Sequence, residues 1–189
     1  MITRPSHALA FLLGFGVALW LFLPLAAPPA FSGEAPAARA PSADPEVARL
    51  EAELFEAVNR FRREHHKIPL QRRPDLDAVA HGHSADMAGR RYLSHESPEG
   101  RNWVDRLALA RIEGFAMAGE NVGLTNKPGP NEEILQGWIH SPVHRENLLA
   151  AAFNATGLGI ARGADGTLYY TQLYLTFPVV ERRMGPATR

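Results

Sequence analysis

Three short stretches in the second half of the chain decide the fold: HESP at 95–98, GENVG at 119–123 and WIHSPVHREN at 138–147. Among their ionisable residues, His95, Glu120 and His144 place two imidazoles and one carboxylate at separate turns of the chain. Polar groups that are spread out in this way usually converge in the folded protein and line one cleft. The sequence therefore predicts a polar site that is built from these three stretches.

Each ionisable side chain has local features that suit such a site. Glu120 lies between glycine and asparagine in an apolar segment, so its carboxylate is expected to be partly buried and to need partners. His144 would be the third residue of a helix that begins after Ser141, and a helix N-terminus disfavours the imidazolium form. A neutral His144 can accept a proton or bind a metal, whereas Asn147, one turn further on, can satisfy backbone groups. His95 follows a helix directly and lies in a loop.

Less specific roles stay open for the same residues. His95 is also compatible with a solvated surface histidine, Glu120 with a carboxylate that caps backbone amides, and His144 with a ring that only hydrogen-bonds a neighbouring loop. His83 shares a helix face with Ala80, which favours a packed histidine with one hydrogen bond over a site residue.

Composition excludes several classes of protein and site. The 189 residues suit one domain with appendages, and an apolar share of 46% is ordinary for a globular core. The formal net charge is zero, so no basic field argues for nucleic acid. The chain has no cysteine, which excludes disulfides, thiolate metal sites and a cysteine nucleophile. The sequence also lacks the His-Glu-x-x-His zinc motif, the Gly-x-Ser-x-Gly elbow and a phosphate-binding loop.

The N-terminus predicts export. Residues 1–7 carry one base, Arg4, and no acid, and 8–25 are uncharged and strongly apolar. As a helix this stretch would extend about 27 Å, close to the thickness of the bilayer core. Residues 1–25 are therefore interpreted as a cleaved signal peptide or as a retained membrane anchor, and the Ala- and Pro-rich residues 26–45 as a linker. Either alternative places the following domain outside the cytoplasm, secreted or anchored at the cell membrane.

Apolar patterning predicts an α+β domain over 46–180, followed by a loose polar tail at 181–189. Helical spacing dominates its first half, and aromatic and β-branched residues around an Asp-Gly turn predict a β-hairpin near its end. A capping residue before a proline marks two helix starts, at Asp44-Pro45 and Ser141-Pro142. The predicted helices are Glu46–His66, Pro74–Tyr92, Trp103–Arg111, Asn131–His140 and a short one from Ser141, and the predicted strands lie within Gly114–Leu124, Thr156–Arg162 and Thr167–Phe177.

Taken together, these motifs resemble a bacterial member of the CAP superfamily, which is named for cysteine-rich secretory proteins, antigen-five and pathogenesis-related proteins. The likeness covers most of 54–177. Any single motif is common, but the order and spacing of the set are highly specific. The matching segments are Val58–Arg62, Ala80–Ala88, Tyr92–His95, Gly119–Gly123, Trp138–Asn147, Gly157–Gly159 and Tyr169–Gln172.

The resemblance implies an α-β-α sandwich in which helices flank a small central antiparallel sheet beside a concave cleft. In eukaryotic members the cleft holds two histidines and two glutamates, sometimes around a divalent metal. His95 and Glu120 match one of each, whereas Ser141 and Tyr169 stand where the second glutamate and histidine would be. His144 is expected to enter the cleft instead. A divalent metal, Zn or Mg, would then rest on His95, Glu120 and His144 with water in the other positions. The cleft candidates are His95, Glu120, His144, Ser141, Tyr169 and Asn147.

Three hypotheses for function follow from the resemblance and the residues. The first is a non-catalytic exported module that binds a lipid, a cell-wall component or a surface protein, which the incomplete tetrad favours. The second is a hydrolase of peptidase type, with neutral His144 or Glu120 as the general base on water. Under the third, the constellation is only a structural network.

Overall fold

The computed structural model describes residues 44–178, so the predicted segment at 1–25, nearly all of the linker and the tail at 181–189 lie outside the described residues. Within the described part, the predicted helices and strands are found in the predicted order with boundaries shifted by a few residues, and one short strand, Gln71–Arg72, is additional. They are α1 (Pro45–Glu64), β1 (Gln71–Arg72), α2 (Pro74–Arg90), α3 (Trp103–Leu109), β2 (Met117–Thr125), α4 (Pro130–His140), α5 (Pro142–Leu149), β3 (Ala155–Arg162) and β4 (Leu168–Thr176).

The cap predicted for the first helix is confirmed. The Asp44 carboxylate accepts hydrogen bonds from the backbone N–H groups of Glu46 and Val47, at 2.9 and 3.5 Å, and Pro45 is the first helical residue. A side-chain acceptor at this position satisfies N–H groups that have no partner within the helix. Helix α1 therefore begins at the residue that the sequence indicates.

The sheet has the strand order β1-β3-β4-β2. The predicted hairpin is confirmed, since β3 and β4 pair antiparallel and Gly166 takes a left-handed φ of 84° in the turn between them. β2 pairs antiparallel with the other side of β4, whereas β1 pairs parallel with β3. The three longer strands thus form the antiparallel sheet that the resemblance implies, and the two-residue β1 adds one parallel pairing that makes the sheet mixed. Two residues of β1 are too few to show a strand periodicity in the sequence.

Helices cover both faces of the sheet, which confirms the α-β-α sandwich. On one face α1, α4 and α5 pack against alternate residues of β3 and β4, and on the other face α2 and α3 pack against the residues between them. The first core contains Leu54, Val58, Trp138, Leu148, Ile160, Tyr170 and Tyr174. The second contains Leu76, Ala80, Leu107, Leu173 and Leu175.

Helix α2 lies directly on the backbone of β3, and two glycines make this possible. A Cβ atom on Gly157 would lie 2.2 Å from the carbonyl carbon of Leu76, and one on Gly159 would lie 2.1 Å from the backbone nitrogen of His81. Both distances are far below van der Waals contact, so no side chain fits at either position. The Gly-Leu-Gly segment therefore sets the spacing between α2 and the sheet.

The free edge of β3 is covered by carboxylates, because β1 is too short to pair with the whole strand. Asp77 accepts the backbone N–H of Leu158 at 2.8 Å, and Glu51 accepts that of Ile160 at 3.0 Å. Arg72 lies between them and pairs with Glu51 at 3.1 Å and with Asp77 at 3.0 Å. These side chains supply the acceptors that a longer neighbouring strand would have supplied, and they protect the edge from pairing with other chains.

Arg62 ties the end of α1 to the segment between α5 and β3. Its side chain is fully buried. It donates to the backbone carbonyls of Ile68, Leu148, Ala150 and Phe153 at distances from 2.7 to 3.3 Å. Burial lowers the pKa of this guanidinium, because removing a charge from water is costly, and the hydrogen bonds to the carbonyls offset part of this cost.

We expect Gly159→Ala and Gly82→Ala to change stability in opposite directions. The added methyl at 159 would force α2 away from the sheet and reduce the free energy of unfolding by about 3 kcal/mol. A Cβ atom at Gly82, inside the same helix, meets nothing within 4 Å, so alanine there should stabilise the helix by about 0.5–1 kcal/mol. Urea unfolding of the two variants measures both effects. Wild-type stability in Gly159→Ala would contradict the described packing.

Candidate functional site

Glu120 is the centre of the site. It lies on β2, and its side chain is 0% exposed on the face of the sheet that α2 and α3 cover. Its Oε1 atom accepts from His95 Nδ1 at 2.9 Å, and its Oε2 atom accepts from Arg106 Nη2 at 2.5 Å. The prediction that this carboxylate is buried and partnered agrees with the geometry. Both oxygens are engaged, and the charge is compensated by a guanidinium.

His95 forms the solvent-facing side of the network. It lies in the loop between α2 and α3, with 42% of its side chain exposed, and its ring contacts Trp103 edge-on at a centroid distance of 5.7 Å. A carboxylate only accepts hydrogen bonds, so the Nδ1 atom of His95 carries the hydrogen and Nε2 has its lone pair available in the neutral ring. Glu120 thus fixes both the orientation and the tautomer of His95.

Arg106 is a site residue that sequence reasoning missed. Its Nη1 atom donates to the backbone carbonyls of His95 at 3.1 Å and of Arg101 at 3.0 Å, so it holds the loop as well as Glu120. Its side chain is 12% exposed. The one signal in the sequence was indirect, because a buried Glu120 requires a cation and Arg106 lies on a predicted helix beside apolar residues. Nothing in the local pattern separated it from the other arginines.

His144 reaches the same place from the opposite face of the sheet. It lies on α5, and the centroid of its ring is 6.2 Å from that of His95. Burial, followed by the neighbouring His95, lowers the pKa of His144, so that its ring is neutral near pH 7. The neutral state was predicted from the helix N-terminus, and burial and a second imidazole are further causes that the sequence did not indicate. The two rings meet beside β2, which is an edge strand.

Asn147 acts on the backbone beneath the site. It donates to the Glu120 carbonyl at 3.1 Å and to the Asn121 side chain at 2.9 Å. Trp138 donates from its indole to the Val122 carbonyl at 3.0 Å. A Cβ atom on Gly119 would lie 2.7 Å from Asn147 Oδ1, so glycine there admits the asparagine. These contacts cover the free edge of β2 and explain why the GENVG and WIHSPVHREN motifs occur together.

Ser141 and Tyr169 do not join the network. Ser141 connects α4 to α5 at the predicted cap position, but its side chain makes no capping hydrogen bond, so that part of the prediction is wrong. Tyr169 is buried in an apolar cluster with Met87, Ala88, Val122 and Ala161. Glu120 pairs with Leu173 in the sheet. Tyr169 lies four residues before Leu173 in β4, which places it about 13 Å from the level of Glu120 along the strand.

His83 is a packed histidine, as its position on α2 predicted. It is buried, and its Nε2 atom lies 2.9 Å from the Ser94 carbonyl oxygen. Burial lowers the pKa of His83, and the positive charge of Arg106 lowers it further. The ring is therefore neutral and lies close to the Arg106 side of the network.

The donors present do not suit a divalent metal. Both oxygens of Glu120 are already held, and a metal ion on this carboxylate would face the Arg106 guanidinium at close range. Among residues 44–178, no group of three or more His, Asp or Glu side chains is arranged to hold a metal ion. Zinc or magnesium on His95, Glu120 and His144 stays a prediction, and the charge of Arg106 opposes it.

We expect stability to fall as the pH is lowered from about 7 to about 5. His83 and His144 both have lowered pKa values in the folded state. Below the ordinary histidine pKa of about 6.5, the unfolded chain therefore binds more protons than the folded one, and lowering the pH favours unfolding. Thermal unfolding across this range tests the sign. His144→Gln should weaken the dependence, whereas Val143→Ala, at the adjacent exposed position, should preserve it. An unchanged slope in His144→Gln would contradict a neutral, partly buried His144.

Solved structures share this architecture. An extracellular protein containing an SCP domain from Bacillus anthracis superposes with a TM-score of 0.60 at 31% identity, over 72% of this chain and 45% of that one. An outer surface protein from Borrelia burgdorferi superposes with a TM-score of 0.61 over 69% of this chain and 94% of that one. At 16% identity, the second likeness shows the fold alone.

Sequence comparisons identify the family. The uncharacterized membrane protein YlbC of Bacillus subtilis is 32% identical over 66% of this chain and 34% of its own length, and the uncharacterized protein YkwD is 31% identical over 62% and 45%. The chain thus spans between a third and a half of the length of these relatives. The model of the cysteine-rich secretory protein family matches residues 55–174. Although it contains no cysteine, the chain belongs to this family, the CAP superfamily, in its bacterial form.

Proposed function

We propose that the protein is an exported binding module that takes a ligand of the cell envelope at the His95–His144 pair. The observation that carries this proposal is the engagement of Glu120 on both oxygens by His95 and Arg106. A carboxylate that is compensated in this way is not free to act as a general base on water, which argues against the role predicted for it. It serves instead to hold His95 in one orientation.

The chemistry around the two rings indicates the class of ligand. With its Nδ1–H held by Glu120, the neutral His95 ring has its acceptor at Nε2, and His144 has a lowered pKa, so neutral rings at both positions can accept hydrogen bonds from hydroxyl or amide groups. Trp103 stacks edge-on against His95, and the adjacent Val104 and Val143 are exposed, the latter by 66%. A ligand that presents hydrogen-bond donors beside an apolar surface would fit these two rings and their apolar neighbours. Lipids, wall glycopeptides and proteins of the cell surface have such groups.

Export is supported by the apolar N-terminal segment and by the relatives. The Bacillus anthracis neighbour is named as an extracellular protein, and YlbC as a membrane protein. Across residues 44–178, no helix is long and apolar enough to cross a membrane. A retained anchor and a cleaved signal are both compatible with the proposal, and cell fractionation with mass measurement of the mature N-terminus separates them.

A hydrolase is the second candidate, and one observation favours it. A histidine with Nδ1 on a carboxylate and Nε2 free has the arrangement of a general base. In this mechanism His95 Nε2 removes a proton from water while the water oxygen attacks the carbonyl carbon of an amide, and Glu120 stabilises the imidazolium. The imidazolium then returns the proton to the leaving amine as the C–N bond breaks, so that His95 is neutral again. This assigns the base to His95 instead of His144 or Glu120, and it needs a further group to stabilise the oxyanion.

Binding and turnover by the full-length protein separate the two candidates. Wild type, His95→Gln, His144→Gln and the exposed control His140→Gln are incubated with purified peptidoglycan, with vesicles of extracted membrane lipid and with labelled envelope proteins. We expect one of these to be retained by wild type and by His140→Gln, and to bind about tenfold more weakly to the two site variants, the loss typical of one hydrogen bond.

The same incubations are analysed by mass spectrometry for cleaved products. Product that wild type forms and His95→Gln does not form would show that the protein is a hydrolase and not a binding module. Failure to retain any of the three ligands, or equal retention by His95→Gln and His144→Gln, would refute a ligand site at this pair.

A further inference from the structure

Two buried polar atoms beside the site have no hydrogen-bond partner among residues 44–178: His83 Nδ1 on α2 and Arg106 Nε on α3. Buried polar atoms in folded proteins are nearly always paired, either with protein or with ordered water. Arg106 is bonded directly to Glu120, whereas His83 has no direct hydrogen bond to Glu120 or His95. One group that pairs with both atoms would satisfy them together.

Their hydrogen-bonding roles are complementary. The Nε2 atom of His83 lies 2.9 Å from the Ser94 carbonyl, which only accepts, so Nε2 carries the hydrogen. In the neutral ring Nδ1 then has a lone pair and accepts. The Nε–H of Arg106 only donates. A group that accepts from arginine and donates to histidine would satisfy both atoms at once.

The two side chains also bind consecutive residues of one loop. His83 is bonded to the carbonyl of Ser94, and Arg106 Nη1 is bonded to the carbonyl of the next residue, His95, at 3.1 Å. Consecutive residues are 3.8 Å apart along the backbone, so one short loop segment binds both side chains. The closeness is also evident in the influence of the Arg106 charge on His83.

We propose that one buried water molecule binds between His83 and Arg106, accepting from Arg106 Nε–H and donating to His83 Nδ1. Buried waters of this kind typically join two or more polar groups that have no other partner. The water extends the network to His83–water–Arg106–Glu120–His95. His83 is thereby a positioning residue for Arg106, and through Arg106 for the carboxylate that orients His95. The proposal is independent of which ligand the site takes.

The wild-type protein tests the proposal without any substitution. A crystal structure at a resolution that shows ordered solvent should contain one water within about 3 Å of both atoms. Nitrogen-15 NMR of the full-length protein labelled at histidine should show His83 in the Nε2–H tautomer at neutral pH. No water between the two atoms, or a His83 that carries its hydrogen on Nδ1, would overturn the proposal.

Variants test whether the two residues are coupled. Arg106→Lys keeps a cation for Glu120 but removes the Nε donor, and His83→Phe keeps a ring but removes the acceptor. If the water joins them, Arg106→Lys should lower the melting temperature less in the His83→Phe background than in wild type. Arg101→Lys, at an exposed neighbouring position, should have the same effect in both backgrounds. Additive losses for His83→Phe and Arg106→Lys would also overturn the proposal.

Discussion

The burial of one carboxylate organises this half of the molecule. The Glu120 side chain is fully buried, so its charge must be compensated by neighbouring groups, and its two oxygens accept hydrogen bonds from His95 and Arg106. These partners come from the loop after α2 and from α3, while Glu120 itself comes from β2. A single ionised group therefore fixes a loop, a helix and an edge strand relative to one another. The same contacts give His95 its orientation, so the fold and the site have a common origin.

Both edges of the sheet are closed by side chains, and this decides which residues remain available for function. At β3, carboxylates accept the backbone N–H groups that have no strand beside them. At β2 the roles are reversed, since the side chains of Asn147 and Trp138 donate to backbone carbonyls that have no strand beside them. The polar residues of the WIHSPVHREN motif thus divide between two tasks. Asn147 and Trp138 stabilise the edge, and His144 is left facing His95.

Much of the fold could be predicted from the sequence, because it depends on local patterns. The apolar stripe of α1, the aspartate cap before Pro45 and the Asp-Gly turn each act within a few residues, and each is found where it was predicted. β1 was missed because its two residues form a strand only through pairing with β3. The convergence of His95, Glu120 and His144 was predicted from their motifs. Arg106 was not, because its importance arises from the burial of a residue fourteen positions away.

The contacts of the buried Glu120 carboxylate hold Arg106 and His95 together, and this coupling can be measured. The free energy of unfolding of Glu120→Gln, compared with that of Glu133→Gln, tests it most directly. Glu133 pairs with Lys127 at the surface, where ion pairs contribute little. We expect Glu120→Gln to lose about 3–5 kcal/mol because it leaves Arg106 as an uncompensated buried charge. A loss in Glu120→Gln no larger than that in Glu133→Gln would show that Glu120 does not organise the site.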